Sequence, residues 1–251
     1  MNFLFTRLLP GLMAVLMSSC VLAEQVQVAV AANFIAPMKL IAADFQRHTG
    51  HQAVLSPGAT GKFYSQISNG APFDILLSAD DQTAAKLEQG LQAIPGSRFV
   101  YAVGRLVLWS AQPEFVDDAG AVLTKGSFRH IAVAAPRLSP YGVAAFEAMN
   151  TLGLAAALQP KLVQGESIGQ AFGFVQSGNA ELGFVALSQV YENGAIRAGS
   201  GWIIPATMHR PIRQEAVLLL RGKDNKAALA LLAFLKTAQA GAVIRSFGYG
   251  S

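Results

Sequence analysis

The chain has 251 residues, with 19 Lys and Arg against 15 Asp and Glu, and 52% of its residues are hydrophobic. The basic residues are scattered without a cluster, which argues against nucleic-acid binding. A chain this long and this apolar can bury the core of one large domain or two small ones. Its one cysteine, Cys20, excludes a disulfide framework within the chain.

The first 23 residues have the composition of a secretory signal peptide. Arg7 precedes an apolar run, LLPGLMAVLM, that is too short to cross a bilayer, and small residues end the segment at Val21 and Ala23. The residues around Cys20, MSSC, lack the leucine and the small pair that usually precede a lipidated cysteine. We therefore expect cleavage after Ala23 and a free periplasmic chain without a lipid anchor.

Short apolar runs then alternate with helical patterns along the chain. VQVAVAA, HQAVLS and FDILLS predict strands, and each is followed by an amphipathic helix. A second set has strands at HIAVAA, KLVQG and ELGFVAL, with helices from about Tyr141 to Gly153 and from Ser167 to Gly178. This alternation is typical of an α/β fold whose mainly parallel sheets are flanked by helices.

Two long apolar strands, RFVYAVGRLVLWS and PIRQEAVLLL, lie outside this alternation and predict crossings between two lobes. The helices from Asn225 to Phe247 would then return to the first lobe. We expect a discontinuous lobe I of residues 24–104 and 221–251, a lobe II of residues 105–220, and a ligand cleft between them. In open α/β sheets, ligands bind beyond the carboxyl ends of the strands, where helices begin.

Four joints between a strand and a helix are candidate binding segments. Asn33 follows the first strand, SPGATGKF contains Thr60, LSPYG contains Tyr141, and GESIG covers residues 165–169. Helix starts leave backbone N–H groups unpaired, and converging helix N-termini attract an anion. Simpler alternatives are an ordinary N-cap at Asn33 and a plain loop with a packed tyrosine at Tyr141. The cation near these joints, Lys62, is interpreted as a solvated residue, so the donors are neutral and suit a fully ionised oxyanion.

GESIG also matches the G-x-S-x-G turn that presents a nucleophilic serine in hydrolases. Ser167 would be the nucleophile, and Glu181 or Glu192 followed by His209 supplies the order of a triad. Against this alternative stand a weak preceding strand, the absence of an H-G-G-G-like loop and the two-lobed pattern. We predict no catalytic residue and expect Ser167 to cap a helix, and the serine hydrolase remains an alternative.

Five segments of the chain resemble the periplasmic molybdate-binding proteins of ABC importers, which have the type II substrate-binding protein fold. They are VAVAANF, SPGATGKFYSQISNGAPFDILLSADD, RFVYAVGRLVLWS, RHIAVAAPRLSPYG and GQAFGFVQSGNAELGFVALSQV. The resemblance implies a monomer that captures molybdate, and also tungstate, in the cleft and delivers it to a permease with its ATPase. It implies no cofactor and no enzymatic activity. The alternative within this class is a sulfate- or thiosulfate-binding protein.

The resemblance further implies that hydroxyl or amide side chains and backbone N–H groups at the four joints hold the oxyanion. The corresponding residues of this chain are Ala32, Asn33, Ala59, Thr60, Tyr141 and Ile168. Asn33 and Thr60 would contribute side chains, whereas Tyr141 and Ile168 would contribute backbone N–H groups, and no protein atom would ligate the metal directly. Some members have a tyrosine after the GFV strand where this chain has Ala186, which removes one possible donor.

Overall fold

The computed structural model describes residues 23–192 and 194–250. The predicted signal segment therefore lies outside the described residues apart from Ala23, and so does Cys20. Within the described part of the chain, no single helix is long and apolar enough to span a membrane.

The described elements follow the predicted alternation of strands and helices. The strands are β1 (Gln25–Ala31), β2 (Gln52–Gly58), β3 (Ile75–Leu77), β4 (Phe99–Gly104), β5 (Leu106–Ser110), β6 (Ile131–Ala134), β7 (Leu162–Gly165), β8 (Leu182–Ala186), β9 (Tyr191–Glu192), β10 (Ala195–Ile196), β11 (Ser200–Ile203) and β12 (Ile212–Leu218). The α-helices are α1 (Ile35–Thr49), α2 (Thr60–Ser68), α3 (Asp81–Gln89), α4 (Val122–Lys125), α5 (Pro140–Thr151), α6 (Ala155–Leu158), α7 (Ile168–Gln176), α8 (Lys226–Leu235) and α9 (Ala238–Ser246). Short 3₁₀ helices include Ala32–Phe34 and Leu187–Gln189.

Ten of the twelve described strands form two five-stranded sheets, each at the centre of one lobe, and β9 pairs with β10 in a separate two-stranded sheet. The first sheet has the order β2-β1-β3-β12-β4, and the second has the order β11-β5-β8-β6-β7. The strands β1, β2 and β3 are parallel, as are β6, β7 and β8, whereas β12, β4, β5 and β11 pair antiparallel with their neighbours. The α/β fold with two lobes is confirmed. The sheets are mixed, not mainly parallel, because the crossing strands and β11 lie outside the strand-helix units.

The chain passes between the two sheets twice. The first crossing is at Arg105, between β4 and β5. The second lies between Ile203 and Ile212, because β12 hydrogen-bonds to β3 on one side and β4 on the other in the first sheet. The interpretation that lobe II extends over 105–220 is therefore wrong for β12. This strand fills the gap between β3 and β4, whose backbone edges would otherwise lack partners.

Each lobe has its own hydrophobic core. Val28, Phe34 and Leu231 are buried with the first sheet, whereas Leu108 and Phe184 are buried with the second. Helices α8 and α9 pack their apolar faces into the first core, so the end of the chain returns to the first lobe. These two helices meet at 64°, and only as a bent pair do they have the length and composition of a membrane span.

Candidate functional site

Helix α2, from the first lobe, contacts the second lobe at two points. The backbone N–H of Gly61 donates to the carbonyl oxygen of Leu138, just before α5, at 3.0 Å. Lys62 forms an ion pair with Glu166, which precedes α7, and both side chains are about half exposed. The starts of α5 and α7 thus lie on either side of the start of α2. Lys62, interpreted from sequence as a solvated residue, is exposed but paired.

The 3₁₀ helix Ala32–Phe34 of the first lobe also contacts the second lobe. A Cβ placed on Gly169 of α7 would lie 3.2 Å from the Cβ of Ala32. The hydroxyl of Ser188 donates to the carbonyl oxygen of Asn33 at 2.9 Å. Ser188 belongs to the second lobe, so the two lobes touch here as well. Four helix starts therefore surround one interlobe region, and the contacts across the cleft describe a closed arrangement.

The structure buries five of the six residues that the sequence singled out. Their exposed fractions are 1% for Asn33, 4% for Ala59, 3% for Thr60, 1% for Tyr141 and 3% for Ile168. Ala32 is half-buried. All six lie at the four joints, and Ala186, where a tyrosine was considered, ends β8 and is fully buried.

Helix α2 begins without a capping side chain. Ala59 occupies the N-cap position and has no side-chain oxygen, so the first N–H groups of the helix stay free of a local cap. Thr60 is the first helical residue, and its Oγ1 accepts a hydrogen bond from the backbone N–H of Ala79 at 3.0 Å. The hydroxyl proton of Thr60 is thereby left to donate to another group, such as a ligand.

Helices α5 and α7 also begin with N–H groups that no helical carbonyl accepts. In α5 the N-cap Ser139 makes no side-chain cap, and Pro140 has no N–H, so Tyr141 carries the first donor. In α7 the N-cap Ser167 accepts from the N–H of Gln170 at 3.2 Å, which leaves the N–H of Ile168 free of the cap. Helix dipoles place partial positive charge at these starts, which favours an anionic ligand.

The Asn33 side chain belongs to a buried polar network. Asn33 is inside the 3₁₀ helix and is not an N-cap, so that alternative is wrong. Its Nδ2 donates to Gln214 Oε1 and to the Tyr249 hydroxyl, both at 2.9 Å, while its Oδ1 is buried without a partner among the described residues. Gln214 Nε2 donates to the Tyr141 hydroxyl at 3.0 Å, and Gln214 Oε1 accepts from the Tyr101 hydroxyl at 3.0 Å.

The network is electrically neutral and tightly packed. Burial raises the pKa of Tyr101, Tyr141 and Tyr249 well above the ordinary tyrosine value, so all three hydroxyls stay protonated at physiological pH. A Cβ on Gly104 would collide with the Tyr141 hydroxyl. Because the Tyr141 hydroxyl is engaged inside the network, the free group that this residue offers at the cleft is its backbone N–H.

Three residues of this network, Tyr101, Gln214 and Tyr249, were missed by sequence reasoning. Gln214 is fully buried on β12, and it alternates with Ile212 and Ala216 on the inward face, so an amide at that position of the alternation was a usable signal. Tyr249 lies near the end of the chain and showed no comparable pattern. Gln214 and Tyr249 reach Asn33 only because β12 and the C-terminal segment return to the first lobe.

The alternative of a serine nucleophile is not supported by the geometry. Among the described hydrogen bonds, Ser167 Oγ takes only the N–H of Gln170, and none joins it to a histidine or a carboxylate. Glu181 instead pairs with Arg129, Glu192 pairs with Arg197, and His209 Nδ1 contacts the carbonyl of Arg210. The prediction that Ser167 is an N-cap is confirmed. The described residues also include no group of three His, Cys, Asp or Glu that could hold a metal ion.

Cavities flank the closed joints on both sides. One, of about 660 Å³, is lined by Gly61, Leu138 and Ser139 among others, and a second, of about 520 Å³, is lined by Asn33 and Ser188 among others. Pro140 at the start of α5 lines the first cavity, and Gly169 near the start of α7 lines the second.

The chain is similar in sequence to known bacterial binding proteins. Residues 26–250 match the model of a family described as bacterial extracellular solute-binding protein. The chain is 55% identical over 250 residues to the molybdate-binding protein ModA of Azotobacter vinelandii, covering 100% of this chain and 99% of the relative. It is 50% identical over 227 residues to the molybdate-binding protein ModA of Rhodobacter capsulatus, covering 90% and 88%.

Solved structures show the same likeness. The periplasmic molybdate-binding protein of Azotobacter vinelandii matches with a TM-score of 0.87 and 41% identity, covering 90% of this chain and 99% of that one. The sulfate-binding protein SubI of Mycobacterium tuberculosis H37Rv matches with a TM-score of 0.68 over 90% and 86% of the two chains. Its identity is 15%, so this second match bears on the fold alone.

Proposed function

The chain belongs to the bacterial extracellular solute-binding proteins and, within them, to the family of the molybdate-binding protein ModA, and we propose that it captures molybdate between its lobes for a membrane importer. Tungstate, which has the same charge and shape, is the second ligand. The protein acts as a monomer in the periplasm, makes and breaks no bond, and passes the anion to a permease driven by an ATPase.

The observation that carries this proposal is the meeting of four helix starts with neutral donors in one closed interlobe region. The N–H groups of Thr60, Tyr141 and Ile168 and the hydroxyl of Thr60 have no partner in their own helices that would compete with a ligand. A tetrahedral dianion offers four oxygens that only accept hydrogen bonds. It suits converging donors and helix dipoles without a neutralising cation.

The proposed ligand set follows from this arrangement. It consists of Ala32, Asn33, Ala59, Thr60, Tyr141 and Ile168. The side chains of Asn33 and Thr60 and the backbone groups of the others would coordinate the oxygens, and the metal itself would touch no protein atom. Support comes from the burial of these residues at the joints between the lobes.

Closure of the lobes would signal the loaded state. The Lys62–Glu166 ion pair, the Gly61–Leu138 hydrogen bond and the Ser188 contact all cross the cleft, so they form only when the lobes are together. A ligand held by both lobes stabilises that closed state over the open one. The importer would then bind the closed form in preference to the open form.

Molybdate and sulfate carry equal charge and differ in size, so selection between them depends on the fit of the closed region. Calorimetric titration of anion-stripped protein with molybdate, tungstate, sulfate and thiosulfate tests the assignment. We expect molybdate and tungstate to bind tightly at one site per chain and the two sulfur oxyanions to bind weakly. Tightest binding of sulfate or thiosulfate would replace the molybdate assignment with the alternative in the same class.

A further inference from the structure

Gln214 is the central residue of the polar network beneath the proposed oxyanion site. It lies on β12 in the first sheet, is fully buried, and contacts Asn33 and Tyr101 in its own lobe. Its Nε2 also reaches the hydroxyl of Tyr141, which belongs to α5 in the second lobe. Gln214 therefore connects a proposed side-chain ligand, Asn33, to the residue whose backbone N–H is a proposed ligand, Tyr141.

The nitrogen and the oxygen of the Asn33 side-chain amide differ in their hydrogen bonding. Both hydrogens of its Nδ2 are used, by Gln214 Oε1 and by the Tyr249 hydroxyl, whereas its buried Oδ1 has no partner among the described residues. A buried acceptor without a donor is costly. In this orientation the only free atom of the amide is an acceptor, which would repel the oxygens of an anion.

A half-turn of the amide exchanges its oxygen and its nitrogen with little change in shape. If Asn33 alone turned, its Oδ1 would meet Gln214 Oε1 at a distance now spanned by a 2.9 Å hydrogen bond, and two acceptors would repel each other. If Gln214 also turns, its Nε2 donates to Asn33 Oδ1. The two amides are therefore coupled and must turn together.

The turned network gives the buried Asn33 Oδ1 two donors and keeps a partner for each polar atom of Gln214. Gln214 Oε1 would accept from the Tyr141 hydroxyl, and Gln214 Nε2 would donate to Asn33 Oδ1 and to the Tyr101 hydroxyl. The Tyr101 hydroxyl could still donate to the carbonyl oxygen of Ser78, 3.1 Å away. The Tyr249 hydroxyl, whose one proton now lies between the Asn33 carbonyl oxygen and Ser188 Oγ, would donate it to Asn33 Oδ1 instead, and Ser188 would remain the donor to that carbonyl oxygen. Asn33 Nδ2 would then stand where Oδ1 now lies without a partner among the described residues. Its two hydrogens would be free to donate to the ligand.

We propose that Gln214 is a positioning residue for the oxyanion: by donating to Asn33 Oδ1, it turns the Asn33 amide so that its NH₂ group faces the ligand. This inference rests on the proposed function and assigns to Gln214 a part in it. Gln214 does not touch the anion. It determines whether Asn33 presents a donor or an acceptor, and the bound anion selects the donor orientation.

A double-mutant cycle separates this role from a merely structural one. Gln214→Met removes the donor and the acceptor at similar length. Asn33→Ser replaces the amide by a hydroxyl, which rotates freely and needs no partner to present its proton. We expect Gln214→Met to weaken molybdate binding at least about tenfold when Asn33 is present, and less than about threefold in the N33S background.

Calorimetric titration of the four proteins with sodium molybdate measures the cycle, and thermal unfolding of each reports its stability. Ser110→Ala is the control for the loss of a buried hydrogen bond elsewhere, because the hydroxyl of Ser110, on β5 in the second lobe, donates to the carbonyl oxygen of Glu181 and makes no described hydrogen bond to Asn33 or Gln214. It should lower the melting temperature and leave the molybdate dissociation constant within about twofold. If Gln214→Met does not fold, Tyr249→Phe takes its place in the cycle, because it deletes the other group that would donate to Asn33 Oδ1.

The outcomes separate the positioning role of Gln214 from the proposed function. If Gln214→Met lowers the affinity equally in both backgrounds, or in neither, the positioning role is overturned. The proposed function still stands in that case if the wild-type protein binds molybdate. Wild-type protein that bound no molybdate would overturn both. A loss confined to proteins that retain Asn33 supports the coupled amides.

Discussion

The hydroxyl oxygen of Thr60 accepts a hydrogen bond from the backbone N–H of Ala79, and the two atoms lie 3.0 Å apart. Thr60 begins α2, and Ala79 follows β3, so this bond fixes the start of the helix against the end of the central strand. Because the Ala79 N–H is the donor, the proton of the Thr60 hydroxyl is free for the proposed anion. The oxygen of the Thr60 hydroxyl thus stabilises the fold, and its hydrogen is available to the proposed ligand.

Thr60→Val should weaken molybdate binding by about 10 to 150 fold, since a hydrogen bond to a charged partner contributes roughly 1.5 to 3 kcal/mol. The change nearly conserves volume, so the fold should survive. It also leaves the Ala79 N–H without its acceptor, which should lower the melting temperature by several degrees, about 2 to 4 °C for each kcal/mol lost. Calorimetric titration and thermal unfolding measure the two effects.

Thr60→Ser is the control for this substitution, because it keeps the hydroxyl and removes only a methyl group. We expect it to bind molybdate within a few fold of the wild-type protein. An unchanged affinity in Thr60→Val would mean that the backbone N–H groups hold the anion without this side chain.

Molybdate should raise the melting temperature of the anion-stripped protein. A ligand at a thousand times its dissociation constant stabilises the folded state by about 4 kcal/mol. For a chain of this size that is a shift on the order of 8 to 16 °C. Differential scanning calorimetry with molybdate, tungstate and sulfate in parallel provides the measurement. A larger shift with sulfate than with molybdate would contradict the proposed selectivity.

The ion pair between Lys62 and Glu166 should contribute modestly to closure. Hydrogen bonding and attraction by Lys62 lower the pKa of Glu166, so the carboxylate is charged at neutral pH. Both side chains are about half exposed, so water and salt screen the pair. Lys62→Met should weaken molybdate binding about two- to fivefold at low salt, with a smaller effect in high salt.

The control is the exchange of the two charges, Lys62→Glu with Glu166→Lys, which keeps the pair and the net charge. It should recover most of the lost affinity in the same titration. If the exchanged protein bound as weakly as Lys62→Met, the lysine charge itself would act on the anion and the pair across the cleft would not matter.

Ser167→Ala should affect stability without affecting chemistry. The Ser167 hydroxyl caps α7 by accepting from the Gln170 N–H, and loss of such a cap costs about 0.5 to 2 kcal/mol. Ser167→Asn, which can also cap, should lose less. Assays with small p-nitrophenyl esters should detect no turnover in the wild-type protein. Turnover that Ser167→Ala abolished would instead restore the serine hydrolase alternative.

Glu147 should make the fold sensitive to acid. Burial acts to raise the pKa of this carboxyl, but hydrogen bonds from the backbone N–H and the guanidinium of Arg210 outweigh burial and lower it from 4.5. A group whose pKa is lower in the folded state contributes stability above its unfolded pKa and loses it as the pH falls through the folded pKa. The contribution should therefore be complete about one unit above the unfolded pKa of 4.5 and be lost progressively as the pH falls from there through the lower folded pKa.

Thermal unfolding of the wild-type protein and of Glu147→Gln between pH 8 and pH 3 tests this. The wild-type protein should melt at the higher temperature near neutral pH, and the two curves should converge in acid. A constant difference down to pH 3 would show that the Glu147 charge is not responsible.

Local features of the fold could be predicted from the sequence. Alternating apolar runs located most strands of both lobes, and Ser167 was correctly expected to cap a helix, since it accepts from the Gln170 N–H at the start of α7. The predicted strands and the predicted cap could be located because strand periodicity and helix caps depend on residues a few positions apart. The apolar strand at 211–220 was recognised too, but its sheet was not. Hydrophobicity shows that a strand is buried and does not show which neighbours it pairs with.

The sequence by itself determined the two α/β units, the four helix starts and the residue types that stand there, because these follow from neighbours along the chain. Only the tertiary structure decided that the helix starts meet, that Lys62 faces Glu166, and that Gln214 joins Asn33 across 181 positions of the chain. Such contacts depend on how two mixed sheets assemble and where β12 inserts between its partners. No local sequence pattern predicts a contact between residues so far apart in the chain. The network that orients the Asn33 amide could therefore be found only in the folded molecule.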